Sequence, residues 1–201
     1  MVVTGSECVN VLTGAERGYL GSALRDSLVG LCVDYGDVMT QNHKIDRLDN
    51  MLHFAGPSDI YDFKDTENVI NTIVTGTMNT LNYTKKHNGK YIFASTVGVK
   101  DPTNVYCYSK LLMEEYIRSV YNNYIILRIP RVYSGCRNKG LMRQIRDETI
   151  PAKDMDNVIE FITLQDFINQ TIPVLDERNI THEYNITQKM SIREIKEWIE
   201  K

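Results

Sequence analysis

The chain has 201 residues, of which 42% are hydrophobic and 24% are charged, and its net charge at pH 7 is −3. This length and composition are typical of one globular domain with a well-buried core. The negative charge and an isoelectric point near 5.8 argue against nucleic acid or an anionic membrane as a partner. No run in the sequence approaches the roughly 18 apolar residues that a membrane span requires.

The first residues, 1–6, lack the charged start and the long apolar core of a signal peptide, so we expect a cytoplasmic protein. The four cysteines form no CxxC pair and are expected to be reduced thiols. The four histidines have no metal-ligand spacing with one another or with the cysteines. We therefore expect no metal site.

Apolar, β-branched runs alternate along the chain with helical patterns, which predicts an α/β fold with a parallel sheet and helices on both faces. Strands are predicted near residues 9–13, 30–34, 50–55, 90–95, 124–129 and 158–162. Helices are predicted near residues 19–28, 66–88, 104–122, 137–146, 164–175 and 191–200. We expect residues 1–201 to form a single domain.

A glycine-rich turn follows the first predicted strand and precedes the first predicted helix. In this context Gly14 permits a tight turn, Gly18 lets a pyrophosphate approach the backbone, and Gly21 lets the helix pack closely on the strand. The start of the helix then presents free N–H groups and the positive end of its dipole to the phosphates. The sequence therefore predicts a dinucleotide site here.

Tyr106 and Lys110 are four residues apart in a predicted helix, which places them on one helix face. A fixed ammonium beside a phenol lowers the phenol pKa from its usual value of about 10, so the phenol can exchange a proton near neutral pH. Ser95 and Thr96 end the preceding strand, where a hydroxyl can bond the same substrate oxygen. This set predicts proton transfer coupled to hydride transfer.

These motifs, in this order, resemble the extended short-chain dehydrogenase/reductase family of nucleotide-sugar epimerases, dehydratases and 4-keto reductases. Among them are the glycine motif, a Leu-His-Phe-Ala-Gly strand end and a Tyr-x-x-Ser-Lys-x-x-x-Glu signature. The chain departs from the family pattern in a glycine loop one residue longer, a short segment before the tyrosine, and an unusually small overall length. The resembling segments are residues 13–21, 52–56, 76–79, 93–96, 106–114, 127–135, 161–167 and 185–195.

The resemblance implies a Rossmann-type doubly wound sheet with a reduced C-terminal substrate lobe drawn from about residues 130–201. It implies that Tyr106 is the general acid/base, that Lys110 also holds the nicotinamide ribose, and that Thr96, or else Ser95, supplies the catalytic hydroxyl. The residues expected to bind NAD or NADP are Gly14, Arg17, Gly18, Tyr19, Leu20, Gly21, Asp34, Asp37, Phe54, Ala55, Gly56 and Lys110.

The sequence leaves the choice between NAD and NADP open. An acid at the end of the second strand binds the ribose 2′-hydroxyl and favours NAD, and Asp34 is the candidate. Asp37 fits better the later turn that touches the adenine. Arg17, directly before the second glycine of the motif, is placed to pair with a 2′-phosphate and favours NADP.

The family's dehydratases place acids directly after the catalytic hydroxyl, whereas Val97 and Gly98 follow it here, which leaves 4-epimerisation or keto reduction. Arg128 and Arg131 are candidates for the diphosphate of a nucleotide sugar, although Arg128 also suits a structural role within its strand. The alternative is a non-catalytic dinucleotide-binding sensor or assembly subunit, because the substrate half is short. The expected partners are a nucleotide sugar and a second copy of the chain in a homodimer.

Overall fold

The structure is a computed structural model that describes residues 7–14, 18–40, 45–57, 62–135, 137 and 139–200. Its strands are β1 (Val9–Thr13), β2 (Leu31–Asp34), β3 (Asn50–His53), β4 (Lys90–Thr96), β5 (Tyr124–Ile129), β6 (Val132–Tyr133), β7 (Val158–Thr163), β8 (Ile180–Glu183) and β9 (Gln188–Ser191). Its α-helices are α1 (Tyr19–Arg25), α2 (Tyr35–Met39), α3 (Thr66–Ile70), α4 (Gly76–Lys86), α5 (Val105–Val120), α6 (Gly140–Arg146), α7 (Leu164–Thr171) and α8 (Ile192–Ile199).

The central sheet has six strands in the order β2-β1-β3-β4-β5-β8, and every neighbouring pair is parallel. This arrangement confirms the predicted Rossmann-type fold. The chain places β2 on one side of β1 and β3 on the other, so the order reverses next to β1. Ligands of open α/β sheets bind in the crevice that such a reversal leaves at the carboxyl ends of the strands.

Both faces of the central sheet are buried. Val11, Met51 and Phe93 belong to the apolar cluster on the side of α4 and α5, while Leu12 and Leu52 belong to the cluster on the side of α1 and α7. Successive strand residues point to opposite faces, so a strand that is covered on both sides is predominantly apolar. This is why the central strands could be predicted as continuous apolar runs.

The sixth strand of the central sheet was not the one predicted. The predicted strand at 158–162 is β7, which joins β6 and β9 in a separate three-stranded sheet. The sixth place is taken by β8, which the sequence analysis missed. The sequence of β8 is Ile-Thr-His-Glu, and a short edge strand with one aliphatic residue carries no recognisable apolar run.

Three further differences concern helices. The short helix α2 was not predicted, and Asp34 caps it by accepting a hydrogen bond from the Gly36 N–H at 2.8 Å. The helix predicted at 66–88 is interrupted by a π-helical turn at Asn71–Thr75, which coincides with its β-branched run. The helix predicted at 164–175 ends at Thr171 and continues as the 3₁₀ turn Ile172–Asp176, because Pro173 has no N–H to donate.

The small sheet has an apolar cluster of its own, with α6 and α8 packed around it. These elements lie within the region from which the sequence analysis drew a substrate lobe, and the division of the chain into domains stays a prediction. None of the helices in the described ranges is long and apolar enough to cross a membrane.

Candidate active site

A cleft of about 640 Å³ runs along the carboxyl ends of β1, β3, β4 and β5. It lies at the strand-order reversal, where the fold predicts a ligand. Most of the predicted site residues line it together, namely Gly14, Gly18, Tyr19, Leu20, Gly21, Phe54, Ala55, Gly56, Ser95, Thr96, Tyr106, Lys110 and Arg131. Asp34, Asp37 and Arg128 do not line this first cleft, and Arg17 lies outside the described residues.

The shape of the glycine turn depends on the backbone of Gly14. Its φ of +73° is a left-handed conformation, which glycine adopts without strain. The Gly18 N–H donates to the Gly14 carbonyl at 2.9 Å, and a Cβ at Gly18 would come within 2.2 Å of that oxygen. The expected reason for Gly18 was space for a pyrophosphate. The structure adds a second reason, which is that any side chain at Gly18 would clash with the Gly14 carbonyl and displace the turn.

A hydrogen-bond network ties the end of β3 to the end of β1. The Thr13 hydroxyl oxygen accepts from the N–H groups of Phe54 and Ala55, each at 3.1 Å, and lies 2.8 Å from His53 Nδ1. Since both lone pairs are engaged, the hydroxyl must donate to Nδ1, which assigns the imidazole proton to Nε2. Burial, with a smaller contribution from Lys110, lowers the pKa of His53 to about 3, so the ring is neutral.

Lys110 lies behind Tyr106 on the same face of α5, as predicted. Its Nζ is 5.8 Å from the Tyr106 ring centroid and 4.6 Å from that of Phe93, and it donates to the Ala94 carbonyl at 2.6 Å. The side chain is 2% exposed. Burial lowers the pKa of Lys110 to about 7, against a smaller opposing effect of Glu114.

The Tyr106 ring stacks on Phe63, with centroids 4.4 Å apart and planes 7° from parallel. Burial raises the pKa of the Tyr106 phenol above its ordinary value. This corrects the expectation that Lys110 lowers it, because burial outweighs the charge and the cation that opposes burial is Arg137. The Tyr106 hydroxyl has no hydrogen-bond partner within the described part of the chain, so it is available to a ligand.

The two hydroxyls at the end of β4 have different partners. Ser95 is 3% exposed and donates to Glu114 Oε1 at 2.5 Å. Thr96 is half-buried, and its hydroxyl oxygen accepts from the Gly98 N–H at 3.2 Å. The Thr96 hydroxyl can therefore still donate a hydrogen bond to another group, whereas the Ser95 hydroxyl already donates its hydrogen bond to the Glu114 carboxylate.

Glu114 is fully buried at the centre of an ion cluster, which consists of Ser95, Glu114, Arg118 and Arg128. Arg128 Nη2 donates to Glu114 Oε2 at 2.7 Å, and Arg118 Nη2 donates to the same oxygen at 2.9 Å. Burial alone would raise the pKa of Glu114, but hydrogen bonds from Arg128, Ser95 and Arg118 hold it below its ordinary value. The structure thus places Arg128 in the Glu114 cluster, and not at the cleft where a substrate contact was expected.

The residues of the cleft that were not identified from the sequence include Phe63, Arg137 and Lys139. The cations Lys110, Arg131, Arg137 and Lys139 all line the cleft, and no Asp or Glu is among its described lining residues. This is notable in a chain whose net charge is −3. The basic residues that follow β5 were the available signal, because they concentrate positive charge beside a predicted strand end.

Comparison with known proteins agrees with this geometry. The sequence profile of the NAD dependent epimerase/dehydratase family matches residues 9–187. The chain belongs to this family. No curated protein sequence matches the chain significantly.

Solved structures share the fold at low sequence identity. dTDP-4-dehydrorhamnose reductase from Bacillus anthracis, in complex with NADP, is 18% identical with a TM-score of 0.77, covering 98% of this chain and 81% of that chain. UDP-N-acetylglucosamine 4-epimerase from Methanobrevibacter ruminantium, in complex with UDP-N-acetylmuramic acid, is 16% identical with a TM-score of 0.73, covering 96% and 81%. UDP-glucose 4-epimerase from Thermus thermophilus, in complex with NAD, is 16% identical with a TM-score of 0.72, covering 96% and 82%.

This family member also has a second cleft, of about 680 Å³, on the α4 side of β1 and β3. It shares Ala55 with the first cleft, and α2 contributes Tyr35 and Met39 to its wall. Asp34 caps α2 and Asp37 lies in its first turn, so both predicted acids belong to the helix that borders this second cleft. In the described residues, no group of three or more His, Cys, Asp or Glu side chains could hold a metal ion.

Proposed function

We propose that this protein is an NAD(P)-dependent enzyme that epimerises a nucleotide sugar or reduces its 4-keto form. The observation that carries the proposal is the first cleft, where Tyr106, Lys110 and Thr96 lie beside the glycine turn and the described lining residues include cations but no carboxylate. A dinucleotide and a nucleotide sugar are both polyanions, and a cleft of this charge suits both. The reductase and the epimerases of similar fold act on substrates of this class.

The residues fit a dinucleotide along both clefts. Gly14 and Gly18 leave the backbone of the turn open to a pyrophosphate, and Lys110 lies beyond it at the nicotinamide end. Asp34 and the residues of the second cleft would hold the adenosine, and Asp34 Oδ1 already accepts a hydrogen bond from the Gly36 N–H. When bound, the nicotinamide accepts or donates the hydride. Asp34 supports NAD and Arg17 supports NADP, and we retain both cofactors.

The chain's own groups supply the proton and hold the substrate oxygen. The raised pKa keeps Tyr106 protonated at neutral pH, which suits it to give a proton to the oxygen of a keto sugar as that carbon is reduced. The Thr96 hydroxyl donates to the same oxygen. Lys110 uses one of three N–H groups on Ala94 and has two for the ribose hydroxyls. In the opposite direction Tyr106 takes the proton back as a phenolate, a form that the nearby charge of Arg137 favours.

The non-catalytic alternative does not explain why Tyr106, Lys110 and Thr96 share one cleft, since a dinucleotide sensor has no need of a proton donor. Arg131 remains the proposed diphosphate ligand of the substrate, and Arg128 is assigned to the fold. Homodimerisation and a cytoplasmic location remain predictions. Leu112, 57% exposed on α5, is an apolar side chain available for contact with a second copy.

The test of this function is turnover by wild type and by Tyr106→Phe on a panel of UDP-, GDP-, dTDP- and CDP-sugars and their 4-keto forms. Nicotinamide absorbance and exchange of solvent deuterium are the readouts. We expect Tyr106→Phe to lower turnover by about 10²–10⁴-fold, the usual contribution of general acid/base catalysis, with little change in dinucleotide affinity. Tyr108→Phe is the matched control, because Tyr108 is 58% exposed on the same helix.

Two outcomes would contradict the proposal in different ways. Wild type that binds a dinucleotide but turns over no sugar of the panel would favour the non-catalytic alternative. Equal turnover by wild type and Tyr106→Phe would leave the enzyme class intact and remove Tyr106 from its mechanism.

A further inference from the structure

Arg137 lies in the first cleft, where it contacts both β6 and the start of α1. Its Nη1 donates to the Val132 carbonyl at 2.7 Å, which holds it to β6. Its guanidinium carbon lies 5.0 Å from the ring centroid of Tyr19, the residue directly after Gly18. A cation over an aromatic face is held there electrostatically, so the side chain has a defined position over the ring of Tyr19 at the start of α1.

The charge of Arg137 is not matched by a carboxylate among the described residues. Two other arginines of the chain show the contrast, since Arg143 pairs with Asp147 at 3.2 Å and Arg128 with Glu114 at 2.7 Å. Arg137 is half-buried in a cleft that it shares with Arg131 and Lys139. A partly desolvated guanidinium without a counter-ion indicates an anionic ligand.

The geometry also defines which edge of the guanidinium is available. Nη1 is engaged by Val132, which leaves Nε and Nη2 as a fork. Such a fork matches two oxygens of one phosphate, a geometry that a lysine ammonium cannot reproduce.

We propose that Arg137 binds a phosphate group of a diphosphate that lies between the glycine turn and α6. The inference rests on the proposed function for the class of ligand. Two sources share this chemistry, the pyrophosphate of the dinucleotide and the diphosphate of the nucleotide sugar. Arg137 is therefore a binding residue at the junction of the two ligands.

Calorimetric titration of the full chain with UDP, NAD⁺ and NADP⁺ tests the proposal. We expect Arg137→Gln to weaken binding of at least one of these diphosphates by about tenfold or more, the usual effect of losing a charge-assisted contact. Arg137→Lys keeps the charge but not the fork and should lie between Gln and wild type. Arg143→Gln is the matched control, because Arg143 is 61% exposed and paired with Asp147, and it should bind like wild type.

The pattern of losses identifies the source of the phosphate. A loss confined to UDP assigns Arg137 to the nucleotide sugar, and a loss confined to NAD⁺ and NADP⁺ assigns it to the cofactor. Wild-type affinity of Arg137→Gln for all three ligands would overturn the inference and leave the proposed function standing. If wild type binds none of them, both fail. Should Arg137→Gln lose its fold without the Val132 contact, the comparison of Arg137→Lys with wild type decides in the same way.

Discussion

Two regions at the carboxyl end of β4 each contain a cation, buried Lys110 in one and partly buried Arg128 in the other, and the cations have opposite kinds of partner. On the cleft side, Lys110 donates to the Ala94 carbonyl and has no carboxylate partner in the described ranges. In the Glu114 cluster, Arg128 makes several hydrogen bonds to a fully buried carboxylate. The cleft side keeps donors available for a ligand, whereas the cluster uses its donors to hold β4, α5 and β5 together.

The difference extends to protonation. Burial lowers the pKa of Lys110 to about 7, while hydrogen bonds to Glu114 raise the pKa of Arg128 and help to hold that of Glu114 low. The cluster is therefore fully charged across the neutral range, and the cleft cation is poised to change its charge.

The largest effect on stability is expected from Glu114→Gln. The substitution leaves Arg128 and Arg118 without their shared carboxylate, and breaking a buried pair in this way costs about 3–5 kcal/mol of unfolding free energy. The matched control is Glu160→Gln, because Glu160 is 55% exposed in its pair with Lys189. That surface pair should contribute about 1 kcal/mol or less. Urea unfolding of both variants measures the difference, and equal losses would contradict the distinction.

The sequence could predict the central strands because they are covered on both faces, which favours apolar residues along most of their length. It could also predict that Tyr106 and Lys110 share a helix face, since this follows from helical geometry alone. It could not predict β8, whose place at the sheet edge requires little apolar character. The π-helical turn at Asn71–Thr75 likewise depends on packing and has no local pattern of its own.

The sequence could not predict which residues of the candidate site face the cleft and which serve the fold. Ser95 and Thr96 are neighbours in one motif, and only the packing of α5 against β4 shows that Ser95 reaches Glu114. Arg128 lies in β5, a strand whose sequence resembles the family pattern, but its carboxylate partner Glu114 lies on α5. The pKa of Tyr106 was misjudged because burial by Phe63 comes from a segment distant in sequence.

Lys110→Met tests the protonation of the cleft cation through the pH dependence of stability. An ordinary lysine has a pKa of 10.5 and Lys110 one of about 7, so between these values the unfolded chain binds a proton that the folded chain does not. The contribution of Lys110 to stability therefore rises with pH across this window and is least favourable below it. Lys110→Met should lose this slope and gain stability relative to wild type at low pH, offset in part by the unpaired Ala94 carbonyl.

Thermal unfolding of wild type and Lys110→Met at pH values of about 6, 8 and 10 measures this slope. The difference between the two proteins is the quantity of interest, because the other titrating groups are common to both. Curves that run parallel would show that Lys110 does not titrate in this range. Lys110→Arg is the control for charge, since an arginine stays protonated throughout.

The smallest effects are expected from Ser95→Ala and Thr96→Val, and they separate the two regions most directly because the residues are adjacent. Ser95→Ala removes a hydrogen bond to the Glu114 carboxylate, worth about 1.5–3 kcal/mol of unfolding free energy, and should leave turnover close to wild type. Thr96→Val removes the donor to the substrate oxygen and should lower turnover by about tenfold to a hundredfold.

Thr96 also accepts from the Gly98 N–H, so Thr96→Val costs some stability as well, and Thr96→Ser distinguishes the two roles. Serine restores the hydroxyl and should recover both turnover and the cap, because only a methyl group is lost. Unfolding free energy and turnover are measured on the same preparations of all three variants. If Ser95→Ala lost turnover while Thr96→Val kept it, the hydroxyl that faces the substrate would be Ser95, and the assignment of Ser95 to the Glu114 cluster and of Thr96 to the substrate would be wrong.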